Sequence, residues 1–577
     1  MVWISIDRRD SLWVVIALLT LALIAPTAFS QAIEVYEYRD PKSFSSYWSF
    51  EPYKPLPLRG VSPTVVPIAT NMSFENTGFT PKSVVVTIPP GSYSMAILNV
   101  SMSVTGRQFD RIFWIFANGI PIYWGSTVQR LNSTAETDVT LFLKLFRGPV
   151  NFSIVLTNWL APSIGITGVF LVNITLYLYP GETPSWVPDA YVPIFRDPNG
   201  NSLEEFTPER LLINTGVEIP RDAYRVAMYL FTKPGRLDEA FYTNIPSIRD
   251  ILLYYNDNLA GVFHVFPTIY TGGIFPLYWR PMASINTHYA KSPQLVDLTP
   301  MLAYGKKANI SLRVVGMDLA SQRAGSKQFS IIVGGALLAW LDPSRAVVEG
   351  VITNSSAQYS GGPWITDIDI RGSSFYTERT LYSIYYEARL NTQRGYINVS
   401  TYSKGYSWAN IYSDDKIFVS TLTQNFTNRA MGSGDASYSM ESSGGYVVNV
   451  ISRFRFTPTS DPSKIPYNAT LDEDDEIDVY LLRDNLQKHG VDWYRENLAE
   501  RTYVQGGFSV NLTVIDPYGG AVITALTRAS STTTKSLSAL VLYSGSGYTQ
   551  EFRIVTSAGL DKPFGEFREF YIRYVRI

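Results

Sequence analysis

Val169-Phe170-Leu171-Val172-Asn173-Ile174-Thr175-Leu176-Tyr177-Leu178-Tyr179 alternates along its length. Val172, Ile174, Leu176 and Leu178 fall on one side, and Asn173, Thr175, Tyr177 and Tyr179 on the other. Successive side chains of an extended chain point to opposite faces, so a period of two describes a strand with one face in a core. The pattern recurs at 309–314, where Ile310, Leu312 and Val314 alternate with polar neighbours, and at 508–514, where Phe508, Val510, Leu512 and Val514 do the same. Clusters of Gly, Pro and Asn part such runs about every ten residues, the rhythm of β-sandwiches. Helical patterns are few, and the best of them, Arg483 to Arg501, reads as one short helix. The fold class expected is all-β: two adjacent jelly-roll-like β-sandwiches followed by a further β-rich C-terminal domain.

The 577 residues are too many for one core, and at about 100–200 residues per domain two to four domains are expected. A first sandwich is assigned to 31–182, closing with the strand quoted above and giving way to the Pro-rich stretch Pro180-Gly181-Glu182-Thr183-Pro184. A second sandwich occupies 190–345 and ends near Trp340-Leu341-Asp342-Pro343, and a β-rich block fills 346–577. In that block Gly432-Ser433-Gly434 and Ser442-Ser443-Gly444-Gly445 read as flexible loops. The acidic run Asp472-Glu473-Asp474-Asp475-Glu476 reads as a solvated loop, calcium binding being the other reading.

Residues 1–30 have the layout of a secretory signal: Arg8 and Arg9, an apolar run from Leu12 to Ala25, then small residues at Ala28 and Ser30, with cleavage expected after Ser30. An uncleaved anchor is the alternative, but the run is short for a hydrocarbon core of about 30 Å. No later stretch is apolar enough to span, so the mature chain is expected to be secreted or held at the extracellular surface, with no stable membrane insertion after signal cleavage. Asn-X-Ser/Thr sequons at Asn71, Asn99, Asn132, Asn151, Asn173, Asn309, Asn354, Asn398, Asn425, Asn468 and Asn511 fit export.

Forty-eight basic against fifty acidic residues leave a net charge of −2, which argues against nucleic acid, since that partner demands a dense basic face. The absence of cysteine rules out a thiol nucleophile and thiolate metal sites. Three histidines are too few for a histidine-rich zinc site, so neither a metal nor another cofactor is expected. With no Ser-His-Asp pattern either, carboxylates are the groups left to move protons.

Two segments concentrate carboxylates beside aromatics. Gly106-Arg107-Gln108-Phe109-Asp110-Arg111 leads into the apolar run Ile112 to Ala117, followed by Tyr123-Trp124-Gly125-Ser126-Thr127. On that strand Asp110 shares a face with Ile112 and Trp114 while Arg111 points away. From spacing alone Asp110 is either a catalytic carboxylate or half of a structural Asp–Arg turn. Leu237-Asp238-Glu239-Ala240-Phe241-Tyr242-Thr243-Asn244 sets acids next to stacking aromatics, as a sugar site or a solvated turn would. Further on come Pro267-Thr268-Ile269-Tyr270-Thr271-Gly272-Gly273 and Pro276-Leu277-Tyr278-Trp279-Arg280-Pro281, where Trp279 could stack on a sugar and Arg280 bind its hydroxyls, or where Trp279 could lie in a core.

In this order, and with Thr167-Gly168 and Val296-Asp297-Leu298-Thr299-Pro300, these segments resemble the peptide:N-glycosidase A family over roughly residues 80–345. Phe109-Asp110-Arg111, Tyr123-Trp124-Gly125 and Glu239 are more distantly similar to the bacterial type F peptide:N-glycosidases. The resemblance implies hydrolysis of the amide joining asparagine to N-acetylglucosamine in N-glycosylated peptides or proteins, leaving aspartate. It implies a glycan held between two sandwiches, with Asp110 from the first as the primary catalytic carboxylate and Glu239 from the second holding water or the intermediate. Arg111 would steady Asp110 or the oxyanion, and Trp124, Asp238, Tyr242, Tyr270, Trp279 and Arg280 would contact substrate. Two positions depart from the family patterns: Trp124 and Gln129 stand where an arginine and a glutamate flank the serine–threonine pair, and Leu156-Thr157-Asn158-Trp159-Leu160 lacks the type F acid. Other readings are a glycan-binding sandwich protein without turnover and a glycosidase, which would leave the asparagine intact.

Overall fold

The computed structural model describes residues 34–38, 48–50, 60–109, 111–127, 132–265, 267, 294–361, 368–370, 373–515, 521–543, 546–559 and 566–576. Strands dominate throughout. The alternation at 169–179 is the strand Phe170–Pro180, central in a five-stranded sheet ordered Trp48–Phe50, Asn132–Asp138, Tyr93–Val104, Phe170–Pro180, Thr64–Phe74. A four-stranded sheet, Lys82–Ile88, Gly148–Leu156, Ile112–Ala117, Ile120–Ser126, completes the first unit. The second repeats the plan. Ala190–Pro193, Phe329–Leu341, Ala223–Arg236 and Gln294–Asp297 form one sheet, with Leu203–Phe206 also on Phe329–Leu341, and Leu212–Glu218, Lys307–Val314, Asp250–Tyr255 and Asn258–His264 form the other. Apolar side chains of all four sheets join one continuous core.

The remainder is one antiparallel sheet of twelve strands, eleven of them from Val347–Ser360 to Glu566–Arg576, with the short Ile368–Ile370 paired to Ser373–Thr392 beside Val347–Ser360. Its far edge is Glu34–Tyr38, which pairs with Glu566–Arg576, so the first described residues belong to the last sheet. Three of its strands, Tyr467–His489, Asp492–Val514 and Ala521–Tyr543, are 23 residues each, roughly 75 Å at about 3.3 Å per residue.

Three expectations for this block give way. The segment Arg483 to Arg501 is no helix but the turn end of a hairpin, paired in register from His489–Asp492 to Tyr467–Val514 and reversing at Gly490 with φ +61°. Leu481, Arg483, Asn485 and Gln487 are buried while Leu482 is 61% exposed. Polar side chains inside and leucine outside cancel the hydropathy contrast by which a strand is recognised. The acidic run is not a loop either; it lies in mid-strand with Glu473 and Asp475 buried. Outward Asp474 and Glu476 pair with Arg528 at 2.9 Å and Arg453 at 3.2 Å. Burial, and then the neighbouring Asp475 carboxylate, pushes the Glu473 carboxyl well above the usual range. No group of three or more His, Cys, Asp or Glu among the described residues is placed to hold a metal. Finally, Gly444 and Gly445 are strand residues, where a Cβ would come within 2.5 Å of Leu482 O and 2.2 Å of Gln424 O. They permit close approach of neighbouring strands.

The twelve-stranded sheet lies with its inner face on the second sandwich. Asp250, fully buried, accepts from His264 Nδ1 (2.8 Å) in its own sandwich and from Thr380 Oγ1 (2.8 Å), Tyr359 Oη (2.9 Å), Gln424 Nε2 (3.0 Å) and Ser407 Oγ (3.3 Å) in the sheet. Burial pushes the Asp250 carboxyl up, but the interaction with His264 and the hydrogen bonds from Thr380 and Tyr359 outweigh it and hold the group below the usual range. Arg225, ion-paired to Asp297 at 3.1 Å, has its guanidinium carbon 4.1 Å from the ring centroids of both Trp340 and Tyr438. Tyr543 reaches the first sandwich at Asp138 (3.0 Å). The asparagines of the eleven sequons are exposed or half-buried, none buried. No helix among the described residues is long and apolar enough to cross a membrane.

Candidate active site

Residues 106–109 and Arg111, on either side of residue 110, are held by a close approach at Gly106 and by Gln108. A Cβ on Gly168 would stand 3.0 Å from Gly106 O and Arg107 O, so two glycines let the chains close on each other. Thr167 and Gly168 N–H donate to Arg107 O at 3.1 and 2.9 Å. This contact joins the two motifs the sequence presents sixty residues apart. Gln108 is fully buried. Its Nε2 donates to Trp159 O (3.1 Å) and Gly168 O (3.0 Å), and its Oε1 accepts from Phe109 N (3.0 Å) and Arg111 Nη2. Every polar atom of the amide is used, so the turn has one arrangement.

Arg111 emerges from this turn at the sandwich rim. Its guanidinium lies 5.3 Å from the Trp159 ring and 5.8 Å from the Phe109 ring, with Nη2 also reaching Trp159 O at 3.4 Å. Phe109 (40% exposed), Trp159 (45%) and Phe79 (50%) form an outward aromatic patch, Phe79 edge-on to Trp159 at 6.0 Å. Exposed aromatics around a fixed cation suit a sugar ring, whose C–H face stacks while its hydroxyls find donors. Phe79 is absent from the residues singled out in the sequence, and Trp159 enters there only within the stretch that lacks the type F acid. No local pattern distinguishes them, because the patch is assembled from three connections.

The second segment is a chain of turns beyond the strand Ala223–Arg236: Asp238 N–H donates to Gly235 O (3.0 Å), Glu239 N–H to Arg236 O (3.2 Å) and Phe241 N–H to Asp238 O (3.0 Å). Glu239 faces outward with its side chain 30% exposed, its Oε1 held by Lys233 Nζ at 3.2 Å. Two cross-sandwich bonds show where this turn lies relative to Arg111. Tyr229 Oη donates to Pro121 O (3.0 Å) and Trp124 Nε1 to Thr232 O (3.1 Å), so Ile120–Ser126 and Ala223–Arg236 advance in step. Thr127, which takes the Arg111 N–H at 2.8 Å, therefore lies toward the end of that strand from which Glu239 follows. Arg111 and Glu239 thus both lie toward that end of the two paired strands.

Three expected substrate contacts are elsewhere. Trp124 is fully buried, stacked on Trp114 (3.9 Å, 6°) and near Phe231 (5.8 Å) between the sandwiches. Its departure from the family pattern is a matter of packing, not of substrate. Trp124→Ala should cost about 3–5 kcal/mol, read as a lower urea midpoint at unchanged m-value. Asp238 is fully buried, both oxygens taken by Arg249 at 2.7 and 3.1 Å. Tyr242 is 1% exposed, burial raising its hydroxyl well above the ordinary value. The alternation acid–acid–aromatic hides which side chains turn inward. Asp110, Gln129, Tyr270, Trp279 and Arg280 lie outside the described residues.

The sequence profile of the family described as Peptide N-acetyl-beta-D-glucosaminyl asparaginase amidase A matches residues 65–358, just over half of the chain. The chain belongs to this family. The matched region of this amidase A family member spans both sandwiches and stops in the first strand of the long sheet. Peptide-N4-(N-acetyl-beta-glucosaminyl)asparagine amidase A of Prunus dulcis is 25% identical over 322 residues, 47% of this chain and 52% of that protein. The chain thus spans about half the length of this curated relative. Among solved structures, recombinant peptide: N-glycanase F (PNGase F) matches at TM-score 0.35 and 12% identity over 48% of this chain and 96% of its own. A structure of PNGF-II matches at TM-score 0.33 and 11% identity over 48% and 66%.

Proposed function

We propose that this family member is an exported amidase that hydrolyses the bond between an asparagine side chain and N-acetylglucosamine in N-glycosylated peptides or proteins. What supports the reading is direction: Glu239 of the second sandwich and Arg111 of the first, next in sequence to Asp110, lie toward the same end of the paired strands Ile120–Ser126 and Ala223–Arg236, and Arg111 has an outward aromatic patch beside it. In the reaction, water adds to the amide carbonyl, the carbon–nitrogen bond breaks, and the departing nitrogen takes a proton. Aspartate and a glycosylamine result, and the glycosylamine then hydrolyses to free glycan and ammonia. Amides are poor electrophiles with poor leaving groups, so water, base and acid must be placed together. Asp110 orients and deprotonates the water. Glu239, steadied by Lys233, holds the water and the tetrahedral intermediate. Arg111, fixed by Gln108 and Trp159, offers positive charge to the oxyanion. Phe79, Phe109 and Trp159 receive a sugar face, and Tyr270, Trp279 and Arg280 add contacts from the segment between Asn258–His264 and Gln294–Asp297.

The test is mass spectrometry of a glycopeptide after incubation with the purified protein. The expected product is a peptide with aspartate in place of the glycosylated asparagine. A peptide keeping asparagine with one sugar attached would mean a glycosidase. Glycopeptide bound but untouched over a range of pH and temperature would mean a glycan-binding protein.

A further inference from the structure

The matched family region stops near the start of the twelve-stranded sheet, yet that sheet touches the turn that carries Glu239. Glu378, on the strand Ser373–Thr392 and 1% exposed, sits under the chain just after the turn. Its Oε2 accepts the backbone N–H groups of Ser247 and Ile248, each at 3.1 Å. The next residue is Arg249, whose Nη1 donates to Pro246 O (2.9 Å) and Ile248 O (3.0 Å) while Nη2 and Nε grasp Asp238. Asp238 directly precedes Glu239. Asn244 Nδ2 closes the loop on Leu237 O (2.9 Å) and Asp238 Oδ1 (3.1 Å). On the other side Ser420 Oγ, also in the long sheet, donates to Tyr242 O. The turn is held from below at two points by a block outside the sandwiches.

A buried carboxylate is an expensive way to fill an interface, and an apolar residue of similar size would seal it as well. Its two acceptor bonds go to consecutive amides of one loop, which fixes that loop's path and not merely the distance between sheets. We propose that Glu378 is a positioning residue: through Ser247–Ile248, Arg249 and Asp238 it sets the orientation of Glu239, and with it the long sheet becomes part of the catalytic apparatus. The proposal rests on the amidase reading for its kinetic consequences, though the mechanical link stands on the contacts alone.

Burial pushes Glu378 up to about 7, against the pull of the Ile248 amide, the Arg249 guanidinium and the Ser247 amide. The other titratable groups around it are Tyr376 on its own strand, Tyr359 on Val347–Ser360, and Arg323 of Met317–Ala324, which lies over the Tyr376 ring at 5.7 Å. Asp238 stands behind Arg249. Ionised Glu378 accepts two N–H bonds more strongly than the protonated acid does, so the turn tightens as pH rises through about 7.

The experiment compares full-length wild type, Glu378→Ala and the near-isosteric Glu378→Gln by steady-state kinetics on a glycopeptide and by amide hydrogen exchange. Displacing a catalytic group by about 1 Å costs on the order of 10²-fold, so Glu378→Ala should lose about that much kcat with KM little changed. Glu378→Gln, which keeps one acceptor oxygen, should recover part of it, and the rise of kcat around pH 7 should vanish. Residues 237–249 should lose exchange protection in Glu378→Ala while the first sandwich keeps its own. Wild-type kinetics with unchanged protection of 237–249 in both variants would overturn the proposal. An active wild type whose variants lose only thermal stability, with kcat and pH profile intact, overturns it too. An inactive wild type whose 237–249 segment still opens in Glu378→Ala supports the positioning link and overturns the amidase reading instead.

Discussion

Glu239→Gln should lower kcat on a glycopeptide by about 10²–10⁴-fold, the usual loss for one essential proton-transfer or transition-state group. Asp110→Asn should fall in the same range. The side chain of Glu239 is 30% exposed and, among the described residues, is ion-paired to Lys233, whose own side chain is 5% exposed; a neutral amide of the same shape keeps a hydrogen-bond acceptor but removes the counter-charge, so a loss of about 1–3 kcal/mol in stability is expected and kcat is to be read well below the unfolding transition. KM should change little if Glu239 acts on the intermediate, since interactions made only in the transition state appear in kcat. The two single variants and the double variant separate the roles. If Asp110 and Glu239 act on one water, the double loss should fall well short of the product of the singles, as for residues that work as a unit. A fully active Glu239→Gln would remove the second sandwich from the chemistry and confine it to Asp110 and Arg111. Lys233→Met is the internal control, because it releases Glu239 Oε1 while leaving the carboxylate in place.

The sequence carries openly those sandwich strands that have one apolar and one polar face, whereas Ile120–Ser126, Ala223–Arg236 and Phe329–Leu341 are buried on both faces and show no such alternation. Phe170–Pro180 and Lys307–Val314 bury the residues that the alternation selects. Glu239 and Arg111 stand out in the sequence for another reason: each sits in a long motif that resembles the amidase A family. What lay beyond reading was side-chain direction within a turn. Asp238 and Glu239 are indistinguishable as letters, yet one is wholly buried on Arg249 and the other faces out, a difference fixed by a partner eleven residues away. The long sheet is legible at 508–514, where Phe508, Val510, Leu512 and Val514 are buried, and hidden where the pattern inverts. Between 483 and 500 its inner face carries Arg483, Asn485, Gln487, Glu496 and Glu500, so hydropathy gives no period there, and the acidic run passes for a loop when it is half of a charged seam. Glu378 has no signal at all in the sequence, since its meaning depends on two amides 130 residues away.

Arg249→Met should be among the most damaging single changes in the chain. It removes a guanidinium that is fully buried and makes both charged contacts to Asp238. Left behind is a carboxylate with no exposure whose remaining side-chain donor among the described residues is Asn244 Nδ2 at 3.1 Å. Breaking a buried pair from one side typically costs about 3–5 kcal/mol, a large part of the roughly 5–15 kcal/mol that holds a protein folded. The measurement is the first urea transition, because a chain of several units need not unfold in one step. Replacing both partners, as in Asp238→Asn with Arg249→Met, should return more than half of the loss, since no lone charge then remains in the core. Activity discriminates further. If the pair were only a core contact, the double variant should regain turnover along with stability. If it orients Glu239, the double variant should refold but stay slow, because neither methionine nor asparagine can reproduce the fork that ties Asp238 to the Ser247–Ile248 chain. A stable, fully active Arg249→Met protein would show that the Glu239 turn holds its shape without Asp238, and the route from the long sheet to the rim would then end at Arg249.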